Sequence, residues 1–343
     1  MNRREFLTAS AAGMASMTMT MPGLTLTKMP KTKSQIVRVA EDRFELISDS
    51  PASVRILQLT DTHFGRPNDE DRAKDSRSRK LIRTLVDEQK PDLVFHTGDF
   101  INNDTEGVEH SAIDFMNDLG TPWSLVYGNH DHSSGQRNGL TLDDYYKRLE
   151  NHATGFHTVG ADSREYCYRI DIKSSKGKPV TTLLAFNCGG QKTPMKVSEA
   201  QMQWLRQQLD SDAAAGLKHP MIVMQHIPTI EFKQLFDDKG AIGRQGEKVC
   251  FEVDKGEVFE MYRASNRVKG VFCGHDHVND YIGNHKGVRL AYGRVSGWAG
   301  YGDWQRGGRI IEINASPNAF KTRVILPKGV EEKPEWNVTM KDS

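Results

Sequence analysis

Four cysteines, Cys167, Cys188, Cys250 and Cys273, are all that 343 residues contain, and no two of them form a C-x-x-C pair. That scarcity argues against a thiolate-built zinc site or a redox dithiol. The cysteines read as small buried hydrophobes, with one disulfide available if the chain is exported. A sustained apolar run is missing too: no later stretch approaches the ~20 residues a membrane-spanning helix needs. Neither sign of charge dominates, since 46 basic residues face 45 acidic ones for a net charge of +1. No global field therefore draws the chain to nucleic acid or an anionic membrane, and any anionic substrate has to be held by a local site. Three catalytic signatures are absent as well. There is no G-x-S-x-G elbow, no H-E-x-x-H helix and no G-x-x-x-x-G-K phosphate loop, "CGGQKT" lacking the spacing of the last.

What remains is globular, with 37% hydrophobic and 27% charged residues, and long enough for one large α/β domain or two ordinary ones. The first residues, "NRREFLTASAAGMASMTM", carry Arg3-Arg4, then Phe6-Leu7 and a mildly apolar run of Ala, Ser, Thr and Met. This order resembles a bacterial twin-arginine export signal. It predicts a periplasmic or otherwise exported protein, with the twin-arginine translocase as a partner during export. No cysteine follows the run, which argues against a lipoprotein anchor. That route moves folded proteins. The organisation expected is a signal and linker over residues 1–35, one catalytic domain over 36–327 and a polar tail over 328–343.

Between these ends, apolar and amphipathic segments alternate. "VRILQLT", "PDLVFHTGD", "PWSLVYGNHD", "HPMIVMQHIP" and "RVKGVFCGHDH" read as buried strands, while "SRKLIRTLVDEQ", "SAIDFMNDLG" and "SEAQMQWLRQQLDSDAAAG" read as helices. Such repetition implies parallel sheet with helices on its faces. "EYCYRIDI" followed by "KPVTTLLAFNC", and "VRLAYGRVSG" followed by "GRIIEINA", are further strand-like runs, so part of the sheet is antiparallel or a second sheet exists.

Open α/β sheets bind ligands at the carboxyl ends of their strands. Here those ends carry Asp61 and His63, then Asp99, then Asn129, His130, Asp131 and His132, then His226, and finally His275 and His277. Helix caps and turns would take Ser, Thr, Asn or Asp interchangeably. Histidine at four of five strand ends and a carboxylate at the fifth form instead a ligand set for metals such as Mn, Fe, Zn or Co.

The blocks D-x-H (Asp61-Thr62-His63), G-D (Gly98-Asp99), G-N-H-D (Gly128 to Asp131), a single histidine after a strand (His226) and G-H-x-H (Gly274 to His277) stand in this order. Together they resemble the calcineurin-like metallophosphoesterase superfamily. The segment from "HVNDYIG" to residue 313, with "QHIPTIEF", is similar to a branch related to purple acid phosphatases. The resemblance implies a four-layer α/β/β/α sandwich of two mixed sheets and two divalent or mixed-valence metal ions, Mn, Fe or Zn. It implies that Asp61, His63, Asp99 and His277 hold the first metal, that Asp99, Asn129, His226 and His275 hold the second, and that His130 stands off the metals near the leaving oxygen. The activity implied is hydrolysis of small phosphate monoesters or diesters by a metal-bridging hydroxide. A catalytically idle metal-binding module of the same fold, or a nuclease of the same superfamily, is the alternative, and the near-neutral charge weighs against the nuclease. One departure is visible: purple acid phosphatases place a tyrosinate ligand where this chain has Asn102, and use D-x-G where it has His63. Arg66, Trp298, Tyr301, Trp304 and Asp280 are weaker candidates for pocket roles, and Asp131 and His132 for orienting His130.

Overall fold

Strand alternation decides where each side chain goes. Along Ser53–Leu59, Val54 and Ile56 enter one apolar cluster while Leu57 and Leu59 enter another, as the two-residue period of a pleated strand requires. The computed structural model describes residues 34–48, 53–65, 69–102, 109–131, 165–173, 176–190, 194–251, 253–314 and 320–330. The stretch read as an export signal, the last tail residues, Arg66 and His132 lie outside them.

Fourteen strands are described: β1 Gln35–Ala40, β2 Arg43–Ile47, β3 Ser53–Leu59, β4 Leu93–Thr97, β5 Trp123–Val126, β6 Cys167–Lys173 and β7 Pro179–Phe186, followed by β8 Met221–Gln225, β9 Ala241–Ile242, β10 Val268–Cys273, β11 Ile282–His285, β12 Val288–Tyr292, β13 Gly308–Asn314 and β14 Phe320–Ile325. The helices are α1 Asp69–Gln89, α2 Glu109–Asn117, α3 Glu199–Ala214, α4 Ile230–Asp237 and α5 Glu257–Ala264. One sheet has the order β14-β13-β3-β4-β5 and the other β1-β2-β6-β7-β8-β10-β12-β11-β9. Both are mixed. The strands β3, β4 and β5 run parallel, as do β7, β8, β10 and β12, while β13 and β14 and the outer strands β9 and β11 pair antiparallel.

Three apolar clusters mark four layers. Val54, Ile56 and Phe95 of one sheet meet Leu183, Met224, Phe272 and Ala291 of the other, so the two sheets pack face to face. On the far side of the five-stranded sheet, Leu57 and Val94 pack with Leu81, Ile82 and Leu85 of α1 and Ile113 and Met116 of α2. On the far side of the nine-stranded sheet, Val223 and Val271 pack with Trp204 and Leu205 of α3, Phe232 of α4 and Phe259 of α5. The α/β/β/α arrangement expected from the sequence is thus present. Its longest outer helix on that side, α3, starts on a capping box: Ser198 Oγ accepts from Gln201 N at 3.2 Å, and Gln201 Oε1 accepts from Ser198 N at 2.9 Å.

Directly under the carboxyl ends of the strands, the inter-sheet layer turns polar. Gln58 is fully buried, and its amide donates to Thr97 Oγ1 at 2.9 Å and to Cys273 O at 3.0 Å. One side chain therefore ties β3 to β4 and to β10 of the opposite sheet. All four cysteines are free, and Cys167, Cys188 and Cys273 are buried among apolar neighbours, where loss of water pushes their thiols up from the usual range.

Candidate metal centre

Past the last ladder bond of β3 the chain does not leave β4 but bends with it. Asp61 N donates to Gly98 O, His63 N to Asp99 O and Phe64 N to Phe100 O, all within 2.9–3.0 Å. Asp61, His63, Asp99 and His275 adopt positive φ of 55°, 48°, 50° and 80°, a region that costs a non-glycine residue of order 1–3 kcal/mol. Four such residues in one place are held there by their surroundings. Gly98, at φ +92°, leaves no room for a side chain, because a Cβ there would stand 2.6 Å from His226 Nδ1.

The nine-stranded sheet closes the other side. Gly274 N donates to His226 O at 3.1 Å, and His275 N donates to the Asp61 carboxylate at 3.2 Å. Two ligand-type groups result. Asp61, His63, Asp99 and His277 offer one atom each within 4.8 Å of one another, and so do Asp99, His226 and His275. Asp99 alone belongs to both. Asn129 is half-buried on the same loop, between Gly128, which packs on Asp99 and His226, and His130, whose N–H donates to Asp99 Oδ1 at 2.9 Å.

The atoms face each other in a way that protein chemistry alone does not favour. His63 Nε2 lies 3.1 Å from His277 Nε2 and 3.7 Å from Asp99 Oδ2, and His277 Nε2 lies 3.4 Å from Asp61 Oδ1. In the second group His226 Nε2 is 3.3 Å from both Asp99 Oδ2 and His275 Nδ1. A cation at metal–ligand bonds of about 2.0–2.2 Å sets its ligands roughly 3.0–3.5 Å apart, so the spacing fits a metal at each position. His226 is also fixed for the task, since its Nδ1–H donates to Thr97 O at 2.7 Å, which turns Nε2 toward the cluster.

Electrostatics agree with the donor chemistry. Burial pushes His63 down to about 3 and His275 down to about 4, so both imidazoles are neutral with free lone pairs at neutral pH. Burial also works against a charged His226, but the Asp99 carboxylate and its hydrogen bond, helped by Asp61, hold it up at about 10. Asp61 and Asp99 lie below the usual carboxylate range: burial would raise them, and the charges of His277 and His226 outweigh it. The two carboxylates and the imidazoles around them thus form one mutually stabilised buried cluster.

Around this core, Asp131 is a brace and belongs to neither ligand-type group. Its carboxylate accepts the N–H groups of Phe100, Ile101 and Gly128 at 3.2, 2.9 and 2.8 Å, joining the G-D loop to the G-N-H-D loop. Burial, with Asp99 nearby, pushes it up to about 7. Asp276 turns away from the cluster to accept from Tyr292 Oη at 2.7 Å and from Cys250 N at 3.2 Å. Asp280 braces the same loop through an ion pair with Arg294. Trp304 is buried beneath Arg244 and Arg294, Trp298 carries Arg77 over its ring at 3.7 Å, and Tyr301 stacks on His277. Asn102 is buried, with its N–H donating to Phe64 O at 2.9 Å.

Sequence reasoning misses His96. It is fully buried on β4; its Nδ1 accepts Gly98 N–H at 3.2 Å and its Nε2 lies 3.0 Å from Thr62 Oγ1, which donates to Phe100 O at 2.8 Å. This chain of bonds holds the D-x-H and G-D loops together. Burial keeps His96 neutral, its pKa down at about 3. Nothing in "LVFHTGD" separates it from an ordinary strand histidine.

The comparisons with known proteins converge on one family. A calcineurin-like phosphoesterase family model matches residues 54–279. A protein of Arabidopsis thaliana named "Probable inactive purple acid phosphatase 28" is 29% identical over 296 residues, 75% of this chain and 74% of the relative. The Saccharomyces cerevisiae protein named Phosphatase DCR2 is 28% identical over 312 residues, 78% of this chain and 53% of the relative. Among solved structures, a purple acid phosphatase from yellow lupin (Lupinus luteus) seeds shares the fold at a TM-score of 0.52 and 12% identity, covering 84% of this chain and 55% of the other. A dimetal phosphatase from Danio rerio does so at 0.50 and 12%, covering 80% of this chain and 99% of the other. With the family match spanning both ligand-type groups, the chain belongs to the calcineurin-like phosphoesterase family.

Proposed function

We propose that the protein is an exported phosphoesterase that binds two metal ions and hydrolyses small phosphate monoesters or diesters. The observation that carries this reading is the convergence of both ligand-type groups on the shared carboxylate Asp99. Asp61, His63, Asp99 and His277 would hold one ion, and Asp99, Asn129, His226 and His275 the other. When bound, a pair of such ions lowers the pKa of water from about 15.7 toward 7 and clamps the phosphoryl oxygens. The chain supplies the rest. Asp99 fixes the two positions relative to each other, His226 presents an Nε2 turned inward by Thr97, and the strained loops hold the ligands where charge is needed. His130 stands against the ring of His63, centroids 4.8 Å apart at 86°, with a buried Nδ1 that has no partner among the described residues. Its place beside the cluster and outside both ligand groups suits a proton donor to the leaving oxygen.

Three plant relatives carry "Probable inactive" in their names, which favours, as the second reading, an idle metal-binding module. The Arg3-Arg4 motif and the Phe-Leu that follows support export. One experiment separates these claims: hydrolysis of nitrophenyl phosphate, with Mn, Fe or Zn supplied, in periplasmic and cytoplasmic fractions of bacteria making the full chain or its Arg3→Lys, Arg4→Lys variant. Metal-dependent turnover is expected in the periplasm for the natural chain and in the cytoplasm for the variant. Turnover in neither fraction leaves the idle reading standing, and equal cytoplasmic activity for both chains sinks export alone.

A second expectation concerns colour. The buried Asn102 stands where a tyrosinate would be needed, and Tyr301, whose hydroxyl donates to Glu247 at 2.8 Å, is raised above the ordinary phenol range by burial and by that carboxylate. Iron-loaded protein is therefore expected to lack a visible tyrosinate-to-iron band. An absorption spectrum checks it.

A further inference from the structure

Ligating histidines are commonly oriented by a hydrogen bond from their second ring nitrogen. His226 has one, to Thr97 O, whereas His277 does not: its Nδ1 is buried and has no partner among the described residues. Its edge is closed by Gly300, where a Cβ would stand 2.5 Å from both Nδ1 and Cε1. The ring is held by its face instead. Tyr301 stacks on it with centroids 3.9 Å apart and planes 9° from parallel. That stack is anchored from several directions. The Tyr301 hydroxyl donates to Glu247 at 2.8 Å and accepts His277 N–H at 3.3 Å. Glu247 Oε1 also accepts Val278 N–H at 3.0 Å, and the N–H of Glu247 donates to Asn279 Oδ1 at 3.1 Å. Behind the tyrosine, the Arg306 guanidinium donates to the carbonyls of Gly300, Tyr301 and Gly302 at 3.2, 3.0 and 2.8 Å, fixing the loop.

We propose that Tyr301 and Glu247 are positioning residues for the first metal, the carboxylate-anchored phenol ring holding the His277 imidazole toward Asp61, His63 and Asp99 in place of a hydrogen bond at Nδ1. The inference rests on the metal-centre reading above and concerns one of its two positions only. Tyr301 is 52% exposed, so its substitution removes the stack without opening the core. His226, on the other side of Asp99, keeps its own support at Thr97 O.

The test is a zinc titration of metal-free full-length protein against a competing chelating dye, with the thermal midpoint of the metal-free protein recorded for each variant. Natural protein is expected to bind two equivalents. Tyr301→Ala is expected to weaken one equivalent by about 10–100-fold, the usual cost of losing an outer support, and to leave the other equivalent and the metal-free midpoint unchanged. Tyr301→Phe and Glu247→Gln keep the ring and loosen its anchor, and should weaken the same equivalent by less. Two unchanged affinities in Tyr301→Ala overturn the proposal, and so does an equal loss at both positions with a fallen midpoint, which marks a general structural role. If the natural protein binds no zinc, the metal-centre reading itself fails and takes this inference with it.

Discussion

Asp99→Asn is expected to lose metal and activity together. Asp99 is the one described residue common to both ligand-type groups, with Oδ2 at 3.3 Å from His226 Nε2 and 3.7 Å from His63 Nε2. Asparagine keeps the shape but offers one oxygen and an NH₂ donor. Oδ2 faces both groups and Oδ1 accepts the His130 N–H, so the new NH₂ must stand either toward the ions or against that N–H, and the negative charge both ions need is gone. Turnover is expected to fall by more than ~10³-fold, because water loses the ions that bring its pKa from about 15.7 toward 7. The metal-free protein is affected too. His226 is held near 10 chiefly against burial by Asp99, and removing one partner of a buried pair costs on the order of 3 kcal/mol. A lower thermal midpoint is therefore expected even in the presence of chelator. Metal content after dialysis, turnover and the midpoint are the three measurements, and a variant that keeps two metals per chain refutes the bridging role of Asp99.

The cluster of ligand-type residues was legible because each buried strand ends where its apolar run ends. In "RILQLTDTH" and "GVFCGHDH" the change from buried hydrophobe to Asp or His coincides with the last residues of β3 and β10, and parallel pairing brings such ends to one edge. Consecutive strand-like runs only permitted a second sheet; the two-sheet arrangement itself came from the family resemblance of the five motif blocks, and the strand orders agree with it. Other elements left weaker traces. Helices α4 and α5 are eight residues each, and neither begins with a side-chain cap: Thr229 makes no cap bond and Gly256 is left-handed. They exist because Phe232, Leu235, Phe259 and Tyr262 are buried against the sheet, a tertiary cause that a local window does not contain. Strands β1 and β14 lie at sheet edges: β1 is exposed at every residue but Ile36, and β14 alternates mostly between half-buried and exposed positions, so neither carries the apolar run that marks a buried strand. The supports of the site were the least visible. His96 and Glu247 act through bonds to Thr62 and Tyr301, 34 and 54 residues away in the chain, and separations of that kind follow from the fold alone.

His130→Ala should keep its metals and lose turnover selectively. The imidazole belongs to neither ligand-type group, and its tie to Asp99 Oδ1 runs through the backbone N–H at 2.9 Å, which alanine retains. The bridging carboxylate therefore keeps its anchor, and two metals per chain are expected in the variant. What disappears is a group able to give a proton to the departing oxygen, a contribution of roughly 10²–10⁴-fold. That contribution scales with need. An alkoxide leaving group requires the proton, whereas a nitrophenolate carries its own negative charge well and requires little. Turnover of alkyl phosphates is expected to fall by the full factor, and turnover of nitrophenyl phosphate by much less, so that a plot of rate against leaving-group acidity becomes steeper in the variant. An equal loss for every leaving group would assign His130 to holding the substrate, and a loss of metal would make it a ligand; either result removes it from the role of proton donor.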